Sequence, residues 1–513
     1  MRTVKISVLM LACLFPNLNA LTTQEQFRYY VSTVKQNNHV LPLEKTIPFD
    51  WKATAILENI ENGLFAFNER ITAKNKKIWF RITSATDVRE EIVVEIKSAK
   101  SGTVIGEFDI RYAHYMQPFQ LEIPRERLNL ILREGVVMTL KKGSSPFWIF
   151  VPDAKNNQLP TAFLPHLLVS DARKSINSME WKNALNSFTS LSTFGWMEGC
   201  VLDGLHTLAN KDSASKTTIM NHLSMYFDND TLTYEAYNNS RSGKINTVES
   251  VLPFAFLSIY NPQHSMIQHA IDYCLQHADS LGIIADGTAT NRMLKTEECF
   301  TISYPLAILA RDYERDDLQE LAIINLEERV KLLSTQGAIY QRAMQIGNKD
   351  FANWARGIGW YLLGMSKTLT MLPNNERTDK LKAHLRKDAA FVMQHQQANG
   401  LWHCFIDEPA TGIETSGSAI IAAALAHAYQ QGFIGFPAKA AAEKCYDGLQ
   451  AYSTPDGFLT GTVQVNKGGE SLQRNGYRVI SPYTLGFLGV LVEISSFNST
   501  ILPSNSSKGF EER

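Results

Sequence analysis

The chain has 513 residues, with Lys+Arg 50 against Asp+Glu 51 and a formal net charge of -1. A hydrophobic fraction of 44% with 20% charged residues belongs to a folded globular protein rather than a disordered one. Near-neutral charge without a basic, aromatic-studded stripe argues against a nucleic-acid partner, and the length calls for about two to four domains.

Residues 1–20 read as an export signal. Arg2 and Lys5 supply positive charge, Ile6 to Phe15 a short apolar run and Ala20 a cleavage edge, although Leu18 is large for its place. Met10-Leu11-Ala12-Cys13 offers lipoprotein anchoring at Cys13 as the lesser alternative. No later run approaches the roughly 18 consecutive apolar residues that span a bilayer, so the expected location is periplasmic or secreted. Cys200, Cys274, Cys299, Cys404 and Cys445 include no C-x-x-C pair and read as small core residues.

After an N-terminal segment at 21–48, residues 49–152 have the rhythm of a sheet protein. Ile78-Trp79-Phe80-Arg81-Ile82, Ile92-Val93-Val94-Glu95-Ile96 and Val136-Val137-Met138-Thr139-Leu140 are short β-branched or aromatic runs. Turn residues such as Ser101-Gly102 and Gly143-Ser144-Ser145-Pro146 separate them. A small antiparallel β-sandwich fits. It contains no compact cluster of His, Asp or Glu, so it reads first as a structural appendage. A linker at 153–180 follows, with Asn156-Asn157, Pro160 and Pro165.

From 181 to 497 the period becomes helical. Met266, Ile267, Ala270, Ile271, Cys274, Leu275 and Ala278 form an apolar stripe, as do Leu381, Leu385, Ala389 and Val392. Other segments are apolar nearly all round: Trp360 to Met365, Ala419 to Ala426 and Tyr483 to Val492. Amphipathic segments 263–281, 316–334, 376–398 and 436–452 each follow a buried one. That alternation predicts an outer ring covering an inner ring, a toroid of about six helical hairpins. A stacked solenoid is the competitor, but no consensus repeats at a fixed period. The tail at 498–513 stands outside the pattern.

Inner helices of such a barrel point their leading loops at one mouth, so polar residues just before them are the candidates. Asn353-Trp354-Ala355-Arg356-Gly357-Ile358-Gly359-Trp360-Tyr361 is the stretch richest in ligand chemistry. Glycines admit close backbone approach, indole faces stack on sugars, and a guanidinium forks onto a carboxylate. An acidic-sugar pocket is one reading; a tight helix start with core tryptophans is the other. Glu249 and Glu298 could supply the two carboxylates that acid/base work on glycosides requires. Burial would raise the pKa of Glu298, and the helix N-terminus would lower it. Taken singly, each is more plainly a helix-start carboxylate, and Glu297 reads as solvated. His403 beside Trp402 is more simply structural, and Glu414-Thr415-Ser416 looks like a helix start. No Ser-His-Asp arrangement, Gly-rich phosphate loop or H-E-x-x-H motif appears.

These segments, in this order, resemble the unsaturated glucuronyl and rhamnogalacturonyl hydrolases of glycoside hydrolase families 88 and 105. Trp354-Ala355-Arg356-Gly357-Ile358-Gly359-Trp360 is similar to their W-x-R-G-x-G-W. Gly400-Leu401-Trp402-His403 with Glu414-Thr415-Ser416-Gly417-Ser418 is similar to their G-L-W and E-x-S-x-S pair. Glu298, seven residues before Pro305, stands where the family has a catalytic Asp. The likeness covers about residues 180–497.

The resemblance implies an (α/α)6 barrel acting on oligosaccharides capped by a 4,5-unsaturated uronic acid. The catalytic acid protonates C4 of the enol ether, water adds at C5, and the resulting hemiketal opens to release the aglycone. Glu298 would be the general acid/base and Glu249 the second carboxylate. Trp354, Arg356, Trp360, Gln341, Trp402, His403, Glu414 and Ser416 would bind substrate. No metal or organic cofactor is implied. The departures are Glu for Asp at 298 and 249, and Gln341 where the usual G-L-x-x-H, here Gly337-Ala338-Ile339-Tyr340-Gln341, has His. The alternatives are an exo-acting hydrolase of saturated uronides, a non-catalytic carbohydrate-binding protein and, lacking a partner for His403, a sugar epimerase.

Overall fold

The structure, a computed structural model, describes residues 27–494 apart from 36–38, 44, 59–62, 73, 156–157, 172–179, 229–230, 233–244, 246, 289–290, 336 and 345–346. The expected leader at 1–20, Cys13 and the tail at 498–513 lie outside the described residues.

Two antiparallel sheets pack over the N-terminal part of this span. One orders the strands Phe27–Val31, His166–Asp171, Lys76–Thr83 and Pro118–Glu122. The other orders Thr33–Val34, Phe65–Ala66, Val136–Lys142, Glu91–Ser98 and Val104–Arg111. Strict alternation along Glu91–Ser98 buries Ile92, Val94 and Ile96. These residues share one core with Ile78, Phe80 and Ile82 of the facing sheet. The sandwich extends past residues 49–152 at both ends. Phe27–Val31, from the segment before it, pairs with His166–Asp171, from the expected linker, in register Tyr30↔Leu167. The prolines mark only the start of that linker; Leu167, Leu168 and Val169 are buried and form an inner strand of the sheet.

Beyond it lies the (α/α)6 barrel. Among the described residues, the inner ring runs Trp196–Ala209, Leu252–Tyr260, Tyr304–Asp312, Ala355–Met371, Thr415–Gln430 and Thr484–Ile494, and the last packs against the first to close it. The outer helices Ser213–Tyr226, Met266–His277, Asp316–Leu333, Glu376–Gln394, Phe436–Leu449 and Glu180–Leu185 each cover one inner neighbour. Small residues let the inner ring tighten. A Cβ on Gly359 would meet a side-chain carbon of Ile420 at 1.9 Å, so glycine here serves helix-to-helix approach. The glycines expected to admit a ligand instead admit neighbouring protein, since Gly357 likewise faces the Gln341 and Trp354 side chains.

The sandwich is clamped to the barrel rather than tethered. Arg81 forms a fully buried ion pair with Asp456 in the barrel's last long loop, and the Tyr29 hydroxyl donates to the same carboxylate at 2.7 Å. Gln464 donates to the Gln117 side chain at 3.0 Å and to the Arg111 carbonyl at 2.9 Å. Removing one member of such a buried pair costs about 3–5 kcal/mol, so the sandwich contributes directly to holding the loop at 454–481.

Candidate active site

A cavity of about 260 Å³ opens at one end of the inner ring. That volume is near the lower end of ligand pockets, roughly 300 Å³, and suits one sugar ring. Its walls come from the segments that precede inner helices. Trp196, Trp354 and Trp360 give it indole surfaces, and Glu249, Asp286, Lys295 and Glu297 give it charge. Asn466 and Lys467 reach in from the loop clamped by the sandwich.

The turn at Phe351–Trp354 sets the aromatic wall. Asn353 adopts a left-handed conformation, φ 59, which Asn tolerates better than most residues. Its side chain accepts from the Ile339 amide at 3.0 Å and donates to Asp407 at 2.8 Å. The helix then begins at Ala355, aiming Trp354 and Trp360 at the cavity. Trp360 is wedged edge-on against Trp196 at 5.4 Å and against Phe487 at 5.4 Å.

A strand pair sets the charged wall. Asn291–Lys295 pairs with Ala338–Met344, placing Lys295 opposite Arg342 and Gln341 alongside. The Lys295 ammonium lies 2.6 Å from Glu249 and 3.0 Å from Asp286. The Gln341 amide donates to both oxygens of Glu297, at 2.9 and 2.8 Å. Burial pushes the Glu297 carboxyl up, Lys295 pulls it back, Glu249 raises it again, and the outcome is about 7. Burial works against the Lys295 ammonium, but Glu249, Glu297, Glu298 and Asp286 outweigh it and hold the group well above the usual lysine range. A carboxyl raised to near neutrality beside the Glu249–Lys295 ion pair is equipped for acid/base work.

Of the residues expected here, Glu249, Trp354, Arg356 and Trp360 line the cavity. Glu298 does not. Its carboxylate is fully buried behind the wall, 2.7 Å from Arg329 and accepting from the Lys295 amide at 2.8 Å. Successive residues entering a helix diverge by about 100°, so only one of the two glutamates can face the mouth, and it is Glu297. The expectation of a solvated Glu297 therefore fails: it is 9% exposed. Gln341 touches Glu297 and stands one layer back. Arg356 is 2% exposed, stacks 4.6 Å over Trp354, and donates to the Val463 and Gln464 carbonyls and to Tyr483. It holds the clamped loop in place more than it offers a free fork to a ligand.

The second motif pair is structural. Glu414 caps the helix Thr415–Gln430, accepting from the Ser416 amide at 2.7 Å and its hydroxyl at 2.5 Å, and from the Gly417 amide. It also accepts from the Val463 amide at 3.0 Å, tying that cap to the loop. Trp402 is buried and donates to the Val392 carbonyl at 2.9 Å. His403 sits in a short strand with Ile413 opposite, away from the cavity lining, and burial lowers its pKa. Trp402, His403, Glu414 and Ser416 thus support the site without facing it. Among the described residues, no group of three or more His, Cys, Asp or Glu side chains could hold a metal ion, and no helix is long and apolar enough to cross a membrane.

The comparisons with known proteins agree with this architecture. The sequence profile of Glycosyl Hydrolase Family 88 matches residues 171–495. Protein Atu3128 of Agrobacterium fabrum is 31% identical over 141 residues, 25% of this chain and 60% of that protein. The chain therefore spans about 60% of the length of that curated relative. Unsaturated rhamnogalacturonyl hydrolase YesR of Bacillus subtilis is 34% identical over 73 residues, 14% of this chain and 21% of that protein. Among solved structures, a possible GH105 member from Salmonella enterica superposes with a TM-score of 0.52 at 20% identity, covering 60% of this chain and 83% of its own. A family 105 hydrolase from C. acetobutylicum gives 0.53 at 16% identity, covering 62% and 97%. These two likenesses show the fold.

Proposed function

The chain belongs to glycosyl hydrolase family 88 and is a glycosidase, and from that premise we propose that it removes a terminal 4,5-unsaturated uronic acid from lyase-generated oligosaccharides. Glu297 is the acid. The observation that carries this reading is the Glu297 carboxyl on the cavity wall, held by the Gln341 amide beside the Glu249–Lys295 pair, where burial raises it to about 7. The similarity to YesR, an unsaturated rhamnogalacturonyl hydrolase, supports the substrate class.

The chemistry needs one proton donor and one water. Glu297 gives its proton to C4 of the enol ether, and positive charge develops at C5 and the ring oxygen. The carboxylate left on Glu297 and the fixed carboxylate of Glu249 stabilise that charge electrostatically. Water adds at C5 and gives its proton to the Glu297 carboxylate, so the carboxyl is regenerated. The hemiketal opens, leaving a hemiacetal at C1 that expels the aglycone. Trp196, with the cavity-facing edges of the nearly buried Trp354 and Trp360, provides the indole surface for the ring, and Lys295, Arg356 and Lys467 provide a positive field for its carboxylate. Export is part of the proposal, resting on Arg2, Lys5 and the apolar run Ile6 to Phe15.

The test is incubation with lyase-generated oligosaccharides while following the conjugated double bond by absorbance and the free sugar by chromatography. Loss of absorbance with sugar release is the expected result. Release with absorbance unchanged would replace the reading with plain hydrolysis of the glycosidic bond, and silence in both with carbohydrate binding alone.

A further inference from the structure

The side chain of Gln341 is 1% exposed, and its Nε2 donates to both oxygens of Glu297, at 2.9 and 2.8 Å. Its Oε1 is buried without a hydrogen-bond partner. An amide is seldom held this way, because a buried acceptor left unpaired costs about 1–3 kcal/mol. The rest of the residue is fixed. The Gln341 carbonyl accepts from the Thr296 amide, one residue before Glu297, at 2.8 Å. Its Cβ and Cγ pack on Gly357, where an added Cβ would meet them at 3.0 and 3.1 Å. The stem is therefore pinned, and the last torsion, which in Gln is broad and roughly two-fold, remains to turn.

A half-turn about that torsion exchanges Oε1 and Nε2, bringing the oxygen within reach of Glu297. The two hydrogen bonds that Nε2 makes both go to Glu297, so the turn breaks none to a third group. It replaces an unpaired buried acceptor with an unpaired buried donor, so neither orientation is locked. The two forms of Glu297 ask for opposite partners: a carboxylate only accepts, whereas the O–H of the neutral acid needs an acceptor. Lys295 is a donor alone, and Glu249 is engaged with it at 2.6 Å. The other charged groups around Glu297 are Asp286 beyond Lys295, the Glu298–Arg329 pair behind the wall, and Arg356 and Lys467 in the lining.

We propose that Gln341 is a positioning residue that turns with the protonation state of Glu297: its oxygen accepts from the neutral acid, and its NH2 donates to the carboxylate once the proton has gone to C4. The inference rests on the reading of Glu297 as the acid. The O–H bond that breaks belongs to Glu297 and the bond that forms is C4–H. Gln341 gains and loses no proton, and the proton from water restores the first orientation. The bond to the carboxylate is charge-assisted and the stronger of the two, so the amide still favours the charged form on balance.

Infrared difference spectra of the full chain, taken well below and well above the Glu297 pKa of about 7, test the turn. A carboxylic acid C=O band should vanish as pH rises, and Glu297→Gln should lack it. A glutamine amide C=O band, absent in Gln341→Met, should move to higher wavenumber in the same titration, because Oε1 gives up the O–H bond. A fixed donor predicts the reverse, since an NH2 bonded to a carboxylate lowers that band. Gln341→Met keeps the length of the stem and should lower kcat about fivefold, the scale of one neutral hydrogen bond, with KM unchanged. An amide band that stays still or moves to lower wavenumber while the acid band titrates overturns the turn and leaves Glu297 as the acid. If no acid band that Glu297→Gln removes titrates near 7, the parent reading falls and this one with it.

Discussion

The wall of the cavity and the layer immediately behind it are built from the same groups, arranged to opposite ends. On the wall, Glu297 meets a neutral amide, Gln341, and its carboxyl rises to about 7. One peptide bond later, Glu298 meets the guanidinium of Arg329, which is itself anchored to Asn325 and to the Ile284 carbonyl. Burial still raises the Glu298 carboxyl, but Arg329 opposes it at 2.7 Å with no route to solvent. An amide partner leaves a buried carboxyl free to take up and give back a proton; a buried guanidinium commits it to an ion pair. The two carboxyls, both raised by burial, differ in access to the cavity and in partner, a neutral amide for one and a guanidinium for the other.

Paired substitutions test that contrast most severely. Glu297→Gln should lower kcat by about a thousandfold or more, the scale of removing a general acid, while the thermal transition hardly moves. Glu298→Gln should do the reverse. It strands Arg329 and costs roughly 3 kcal/mol of stability, read by denaturant unfolding, whereas the folded fraction keeps turnover within about tenfold of wild type. Loss of activity without loss of stability in Glu298→Gln would break the comparison.

Substitutions at the neighbours of Glu297 sharpen it through pH. Glu249→Gln should cost about a hundredfold in kcat/KM. It also removes a negative charge that raises Glu297, so the alkaline limb of the profile should move to lower pH. Gln341→Leu removes a donor that favours the charged carboxylate, so the same limb should move to higher pH, with the smallest change in rate of the set. Limbs moving the same way in both variants would mean that another group sets the profile. Stability follows the same linkage. The pKa of Glu297 is raised on folding from 4.5 to about 7, so the folded state holds more protons across that window and unfolding free energy falls as pH rises through it.

The ring of hairpins was legible because outer helices such as Met266–His277 and Glu376–Gln394 carry an apolar stripe while inner ones such as Thr415–Gln430 and Thr484–Ile494 are apolar nearly all round, a contrast that survives without knowing any contact. The segment 353–361 was legible as a site because indoles and an arginine precede an inner helix, although its glycines turned out to serve helix packing. Trp196, at the start of the first inner helix, obeys the same rule, but Glu198, Asp203 and His206 interrupt the apolar run that marks other inner helices. The choice between Glu297 and Glu298 was not legible from their own positions. The signal lay elsewhere, in Asn325 and Arg329 on the buried stripe of Leu318, Ala322, Leu326 and Val330, since a cation among core residues requires an anion inside.

The dependence of kcat/KM on pH, read from the double-bond absorbance of an unsaturated disaccharide, tests the central assignment most directly. The account predicts a single-proton decline as pH rises through about 7, where Glu297 loses its proton, and no such decline in the residual rate of Glu297→Gln. A rate that stays level well above pH 7 in the wild type, or a decline that persists unchanged in Glu297→Gln, would contradict it.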